Sequence, residues 1–237
     1  MLAALATGSA SAAVPRQVGS LKYTTTKPGA PTGLVLHFDF QNPDDPGGKP
    51  HAVTTLVVHA PDGGRIDTSV PPRCEATDLE LMLQGPDACP PESKIGDAYA
   101  ISDTGGRDPF PRYTRTNISE FNEATGIVAV GVNEDLPFVK PVDHTRIEGG
   151  RTTTHFPTVP GAPPPEPQAA FRKLHFENRP YVRDGRPYNH TPAKCPKAGY
   201  WRMVLEFTYA DGVTETVNSD SPCRRPKPKR KKHRPHG

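Results

Sequence analysis

Alternating apolar and polar residues mark several short stretches of this chain as β-strands. In residues 34–40, leucine and phenylalanine occupy every second position, and Val35, His37 and Asp39 lie between them. This period of two is typical of a strand with one buried face. Alternating or continuously apolar runs predict further strands at residues 53–60, 94–101, 127–132, 171–177 and 201–209.

The clearest hairpin lies near the C-terminus. Residues 201–209 are followed by Asp211-Gly212 and then by another strand-like segment, 213–217. Asp-Gly between two strands favours a type I′ turn, in which both central residues adopt positive φ angles. We therefore predict an antiparallel pair joined by such a turn.

One short helix is expected at residues 78–84. Thr77 and Glu80 have the spacing of a capping box, in which each side chain accepts a hydrogen bond from the backbone of the other residue. Gly85 and the proline after it then end the helix.

The balance of elements favours an antiparallel all-β fold with long Pro/Gly-rich loops. The 30 prolines and 21 glycines oppose long helices, because each interior proline costs about 3 kcal/mol. Residues 135–168 show little periodicity and include a polyproline run at 163–167. We predict one two-layer β-sandwich over residues 20–223. The alternative is two smaller β domains that divide near residues 104–118.

The C-terminal segment 224–237 carries much of the positive charge. The net charge is +3, and subtracting the eight cationic residues of this segment leaves −5 for the remainder. The segment has no acid and little apolar surface, which predicts a disordered tail. Such a tail could tether the protein to anionic envelope polymers or lipid head groups, and no nucleic-acid partner is expected, since the remainder is acidic. The eight residues are Arg224, Arg225, Lys227, Lys229, Arg230, Lys231, Lys232 and Arg234.

Residues 1–13 have the features of the second half of an export signal. They carry no charged side chain, and Ala10-Ser11-Ala12 fits the small-x-small pattern of a signal peptidase site. The apolar run is shorter than the roughly 20 residues of a membrane span. Because the usual basic region is missing, we expect the natural start to lie upstream of Met1. The segment predicts a secreted or cell-wall-associated protein.

The four cysteines support the same compartment. An even number of cysteines behind an export signal indicates disulfides. Four cysteines allow three connectivities, and the short separations within each pair favour Cys74–Cys89 and Cys195–Cys223. A zinc site prefers close pairs such as C-x-x-C, which this sequence lacks. Neither a metal nor a cofactor is therefore expected.

Two cysteine-containing regions carry a resemblance to known sequences. The first region begins with the cysteine of segment 74–79 and continues in segment 89–98 with Cys-Pro, a serine, a branched residue and a glycine. The second region, 195–223, contains Trp201 and Tyr209 and ends in Ser-Pro-Cys. Both regions resemble uncharacterised secreted proteins of high-GC actinobacteria. The resemblance covers about a third of the chain and implies an exported β protein. It implies no activity and no catalytic residues, and the basic tail departs from it.

Candidate catalytic residues are few. The sequence lacks the serine nucleophile elbow, the H-E-x-x-H motif and the glycine-rich phosphate loops of common enzymes. Five aspartates could supply a carboxylate pair for glycoside hydrolysis, although turn formation explains several of them. They are Asp39, Asp44, Asp45, Asp62 and Asp67.

Four aromatic residues in loop-like, arginine-rich stretches are candidates for binding. Exposed tyrosine beside arginine can stack on sugars or anchor a protein partner. Their more ordinary role is to fix long loops in place. They are Phe110, Tyr113, Tyr181 and Tyr188.

Two classes of function remain after this search. The favoured one is an exported, noncatalytic β-sandwich with a binding or structural role in the cell envelope or at the surface. The alternative is a secreted carbohydrate-active hydrolase with paired carboxylates. A deep pocket that holds two acids of shifted pKa would favour the enzyme, and a flat surface would favour the binding module. The sequence does not indicate an oligomeric state.

Overall fold

Antiparallel strands dominate the computed structural model, which describes residues 14–106 and 111–224. Strands account for 48% of the described residues and helices for 7%, which confirms the predicted all-β class with one short helix. The strands are β1 Gln17–Tyr23, β2 Leu34–Phe40, β3 Val53–His59, β4 Arg65–Ile66, β5 Lys94–Asp103, β6 Tyr113–Asn122, β7 Gly126–Asn133, β8 Val142–Glu148, β9 Arg151–His155, β10 Ala170–Asn178, β11 Val182–Arg183, β12 Arg186–Pro187, β13 Asn189–His190, β14 Tyr200–Tyr209 and β15 Thr214–Pro222.

Eleven of these strands form one sheet. Their order is β1-β2-β10-β5-β6-β7-β8-β9-β3-β14-β15, and β4–β13 and β11–β12 form two small separate pairs. The large sheet curls nearly into a barrel, because β1 at one edge lies beside β15 at the other. The two layers expected of a sandwich are therefore opposite walls of one continuous sheet.

Serine side chains join the two edges of this sheet. Ser219 Oγ on β15 accepts a hydrogen bond from the Leu21 N–H at 2.9 Å and donates one to the Leu21 carbonyl at 2.8 Å. Ser221 Oγ accepts a hydrogen bond from the Tyr23 N–H at 3.0 Å. Both serines are buried. Their hydroxyl groups satisfy backbone groups of β1 that the curled sheet would otherwise leave buried and unpaired.

Large apolar side chains fill one part of the interior. The Phe207 ring packs against Phe38 and Phe40, with ring centroids 4.9 and 5.9 Å apart, and Trp201 packs edge-on against Tyr23 at 5.6 Å. Burying each such ring contributes roughly 1.5–3 kcal/mol. The alternation that predicted β2 and β14 reflects this filled side of the core.

The helix α1, Asp78–Gln84, lies on the outer face of the sheet. Its predicted capping box is present: Thr77 Oγ1 accepts from the Glu80 N–H, and the Glu80 carboxylate accepts from the Thr77 N–H. Leu81 is fully buried in a small outer cluster with Phe121 and neighbouring valines of β7. Two short 3₁₀ helices, Gly85–Ala88 and Pro91–Ser93, follow.

Both predicted disulfides are present. Cys74–Cys89 encloses α1, and Cys195–Cys223 joins the segment before β14 to the end of β15. The hairpin between β14 and β15 is confirmed, but its predicted type I′ turn is wrong. Gly212 has a φ of 85°, whereas Asp211 does not have a positive φ. A single left-handed glycine suffices here because the loop is longer, with the Tyr209 N–H bound to the Val213 carbonyl at 2.9 Å.

Four strands of the large sheet were not predicted from the sequence: β1, β6, β8 and β9. The last two lie within residues 135–168, which show little hydrophobic periodicity. The structure gives the reason, since the inward positions of these two strands and of β6 are mostly threonine and acidic residues.

Ser219→Ala should destabilise the fold by about 1–3 kcal/mol. The substitution leaves the buried N–H and C=O of Leu21 without a partner, and an unsatisfied buried group costs about that much. Urea unfolding measures the change. Asn218→Ala, at an exposed position of the same strand, is the control and should change the stability by less than about 0.5 kcal/mol. Equal stabilities of the two variants would show that the serine does not close the sheet.

Candidate ligand-binding cavity

The interior of the curled sheet contains a cavity of about 230 Å³. Strands β1, β2, β3, β10 and β14 form one wall, which presents mainly leucine, valine, phenylalanine and methionine. Strands β5 to β9 form the opposite wall, where small side chains dominate. The small residues are Ala98, Ala100, Ser102, Thr114, Thr116, Ala129, Thr145, Thr152 and Thr154.

The short side chains of this second wall create the cavity. Alanine, serine and threonine do not reach across the interior as the phenylalanines of the filled side do. Thr114, Thr145 and Thr154 point inward and yet retain accessible surface. Since protein interiors are normally close-packed, inward side chains with accessible surface indicate space for a guest molecule.

Two acidic side chains face the cavity from the small-residue wall. Glu120 on β6 pairs with Ala129 on β7, and Ala129 pairs with Asp143 on β8. Adjacent strands are about 4.8 Å apart, so the Cα atoms of the two acids are about 10 Å apart. Gly96 lies opposite Glu120 on β5, and a Cβ there would be 3.0 Å from Glu120 Oε2. The Glu120 carboxyl thus uses space that Gly96 leaves free.

The surroundings favour the uncharged form of both acids. Burial raises the pKa of Glu120 well above its usual value, and the neighbouring Asp143 and Asp97 raise that pKa further. Burial also raises the pKa of Asp143 to about 7, although His144 opposes that shift. Asp143 is partly buried and lines the cavity. Burial and the neighbouring acids thus favour the protonated Glu120 carboxyl, the form that can donate a hydrogen bond.

Three residues that line the cavity each carry a buried polar atom without a hydrogen-bond partner. These atoms are Glu120 Oε2, the Tyr188 hydroxyl oxygen and Asn189 Nδ2, three of the four such atoms in the described part of the chain. Hydrogen bonds hold the backbone of two of these residues. The Tyr188 carbonyl accepts from the Asp67 N–H at 2.6 Å, and the Asn189 carbonyl accepts from the Thr32 N–H at 2.9 Å. The backbone of Tyr188 and of Asn189 is thus held in place, while these side-chain atoms remain without a partner.

The predicted binding aromatics lie in three different environments. Tyr113 is 52% exposed, and the guanidinium groups of Arg112 and Arg172 lie 5.2 and 5.9 Å from its ring centroid. Tyr181 is half-buried and packs beside Tyr188. Tyr188 is 2% exposed and lines the cavity. The structure does not bring these three rings together into one exposed binding surface.

Several predicted features lie outside the described residues. These are the export segment 1–13, Phe110 and seven of the eight tail cations. Arg224 is the described member of the tail, and its N–H donates to the Thr26 carbonyl at 2.8 Å.

The five aspartates considered as catalytic candidates are not among the residues that line the cavity. Asp39 is exposed and pairs with Lys173 at 3.2 Å. Asp67 accepts hydrogen bonds from Ser69 and Arg186, which lower its pKa. The two acids of the cavity were missed in the sequence, where they stand among threonines in stretches without an apolar face.

One group of side chains comes close enough to ligate a metal. The potential ligand atoms of His51, Glu166 and Asp211 lie within 4.8 Å of one another, with His51 Nδ1 2.7 Å from Glu166 Oε1. Arg16 lies 2.8 Å from Asp211 and already supplies a positive charge. The Arg16–Asp211 ion pair and the hydrogen bond between His51 and Glu166 connect the polyproline region to the β14–β15 turn.

Comparison with protein-family models, curated proteins and solved structures gives no match for this chain. The resemblance to actinobacterial secreted proteins therefore stays a prediction. Within residues 14–106 and 111–224, no helix has the length and apolar character needed to cross a lipid bilayer.

Asp143→Asn should change how stability depends on pH. A carboxyl whose pKa is higher in the folded than in the unfolded state binds more protons when folded, so the natural protein loses stability as the pH rises from 3.8 to about 7. Asparagine does not ionise. The free energy of unfolding of the variant should therefore rise relative to that of the natural protein across this window, by about 1.4 kcal/mol for each pH unit between the unfolded and folded pKa values.

Urea unfolding at about pH 4, 6 and 8 measures this difference. Asp184→Asn, at a side chain that is 91% exposed, is the control and should leave the pH profile unchanged. Parallel profiles for the natural protein and Asp143→Asn would contradict the raised pKa.

Proposed function

We propose that this protein is an exported binding protein that holds one small apolar molecule inside its curled sheet without transforming it. The observation that carries the proposal is the cavity of about 230 Å³ with mostly apolar walls. Ligand sites are concave, largely apolar and equipped with a few convergent polar groups. An apolar guest would gain about 25 cal/mol for each Å² of surface that it removes from water.

The volume indicates the size of the ligand. A protein cavity of about 150 Å³ lined by leucine, isoleucine and phenylalanine binds benzene. The larger cavity of this protein suits a molecule of about ten non-hydrogen atoms.

A surface groove supports an entrance at one end of the sheet. The groove has a volume of about 540 Å³ and lies between β4 and the β8–β9 turn. It shares Gly64, Arg65, Ile66 and Gly149 with the interior cavity. Because a two-residue strand and a glycine turn border this route, small displacements there would admit a ligand.

The location of the protein follows from different evidence. Its two disulfides indicate an oxidising, non-cytoplasmic environment. Segment 1–13, which has the features of an export signal, supports secretion, and sequencing the N-terminus of secreted protein tests this point. A mature chain that begins near Ala13 or Val14 is the expected result, and a secreted chain that retains Met1 would contradict it.

Thr152→Phe should weaken ligand binding strongly. Thr152 on β9 lines the cavity, so a phenylalanine there would occupy the ligand's space. Thr153, the next residue, points to the opposite face of the sheet. Isothermal titration with 2-nonanone, a ketone of ten non-hydrogen atoms, should show at least about a tenfold loss of affinity for Thr152→Phe.

Thr153→Phe is the matched control and should bind the ketone as the natural protein does. Thermal unfolding checks that both variants remain folded. Equal binding by the two phenylalanine variants would place the ligand outside the cavity, and no binding by the natural protein would refute the proposed function.

The paired acids meet the criterion stated above for an enzyme, so they favour a second candidate function, the secreted hydrolase. Glu120 and Asp143 are two carboxyls of raised pKa in one cavity, and such a pair can divide the roles of acid and base. A sugar, however, needs many hydrogen bonds when it leaves water, and most of the accessible surface that lines this cavity is apolar despite its threonines. Binding an apolar molecule therefore ranks first.

Hydrolysis of p-nitrophenyl glycosides separates these two functions. The binding protein should release nitrophenol no faster than buffer alone. Turnover that is lost in both Glu120→Gln and Asp143→Asn would make the hydrolase the better proposal.

The cationic tail supports a weak attachment to the cell envelope. Eight cationic residues begin directly after Cys223, and each one near an anionic bilayer is worth about 1 kcal/mol. A chain that ends at Cys223 should therefore lose co-sedimentation with isolated envelopes at low salt, while the full chain should detach as salt is raised. Equal sedimentation of both chains, or binding that does not respond to salt, would rule out an electrostatic tether.

A further inference from the structure

We propose that the cavity selects a neutral molecule with one carbonyl or hydroxyl oxygen, which accepts hydrogen bonds from Tyr188, Asn189 and Glu120. This inference rests on the proposed binding function and adds to it the chemical class of the ligand. The polar oxygen would lie at these three side chains, and the apolar remainder would lie against the leucine-rich wall.

The unpartnered atoms are the main observation. Buried polar atoms are nearly always hydrogen-bonded, and each exception requires an explanation. Three exceptions belong to residues that line this one cavity: the oxygen of Tyr188, the amide nitrogen of Asn189 and one carboxyl oxygen of Glu120. Ionisation of Glu120 would raise the pKa of Tyr188, so the two side chains lie near each other on the cavity wall. A ligand oxygen would complete the hydrogen bonding of all three.

The chemistry of the three groups selects an acceptor. The hydroxyl of Tyr188 and the amide nitrogen of Asn189 can both donate, and a protonated Glu120 donates as well. An ammonium group would not satisfy this set, because the Asn189 nitrogen cannot accept a hydrogen bond. A carbonyl or hydroxyl oxygen has two lone pairs and matches converging donors.

The charges around the cavity disfavour an anionic ligand. Glu120 and Asp143 both line it, whereas Arg65 is the one cationic side chain among the described lining residues and lies exposed at the rim. A carboxylate inside would have acids as neighbours and no cation to pair with, and burying an unpaired charge is costly. A neutral ligand avoids this cost.

Tyr188→Phe tests the inference with little risk to the fold. The ring of Tyr188 packs against Val70 and Ile95, and phenylalanine keeps that packing. The hydroxyl that is removed has no partner within the protein, so the variant should be at least as stable as the natural protein. Tyr181→Phe is the matched control, since Tyr181 packs against the same cluster but does not line the cavity.

Four probes of similar length are titrated into the natural protein and both variants at neutral pH: 2-nonanone, nonane, nonylamine and octanoate. Tyr188→Phe should lower the affinity for 2-nonanone by about tenfold, the loss expected for one hydrogen bond of about 1.4 kcal/mol. Tyr188→Phe should leave the affinity for nonane unchanged. The control Tyr181→Phe should change the affinity for neither 2-nonanone nor nonane. In the natural protein, nonylamine and octanoate should bind at least about tenfold more weakly than the ketone.

The outcomes separate the inference from the proposed function. If nonane and 2-nonanone bind and Tyr188→Phe lowers the affinity for neither, the three polar atoms are merely hydrated. The proposed site for the ligand oxygen is then wrong, while the binding function stands. If nonylamine binds best and Glu120→Gln abolishes that preference, the site selects a cation and the inference is overturned. If no probe binds the natural protein, both the function and the inference fail.

Discussion

The side-chain hydrogen bonds of Ser219 and Ser221 to the backbone of β1 are the constraint on which the rest of this structure depends. They join the first and last strands of an eleven-stranded sheet, so the sheet encloses an interior. Open edges would expose unpaired backbone groups and leave the interior accessible to water. The Cys195–Cys223 disulfide holds the last strand near the same junction. Enclosure is thus established by residues that take no part in the cavity chemistry.

In the closed sheet, the size of the inward side chains determines which part of the interior is packed and which part contains the cavity. Aromatic rings and leucines pack together on one side and supply the apolar burial that stabilises the fold. Alanines and threonines on β5 to β9 leave the other side hollow. Burying Glu120 and Asp143 beside the cavity costs stability, and residues that lower stability in this way are typical of functional sites.

The sequence predicts the filled side of the core well and the hollow side poorly, for one physical reason. Residues 34–40 and 201–209 alternate because their inward positions are packed, and the capping box and both cysteine pairs depend on local spacing. On β6 the inward residues include Thr114, Thr116 and Glu120, so the strand has no apolar face to detect. A period-two run of small and polar side chains was the available signal. The single curled sheet depends on contacts between distant strands, which local patterns do not specify.

A crystal structure of the protein with 9-bromo-2-nonanone tests the central claim most directly, because the anomalous signal of bromine locates the ligand without interpretation of its shape. The account predicts a bromine peak inside the curled sheet, between the leucine-rich wall and Ala100, with the ketone oxygen within hydrogen-bonding distance of Tyr188. Bromine bound only to the outer surface, with the interior occupied by ordered water alone, would contradict the account.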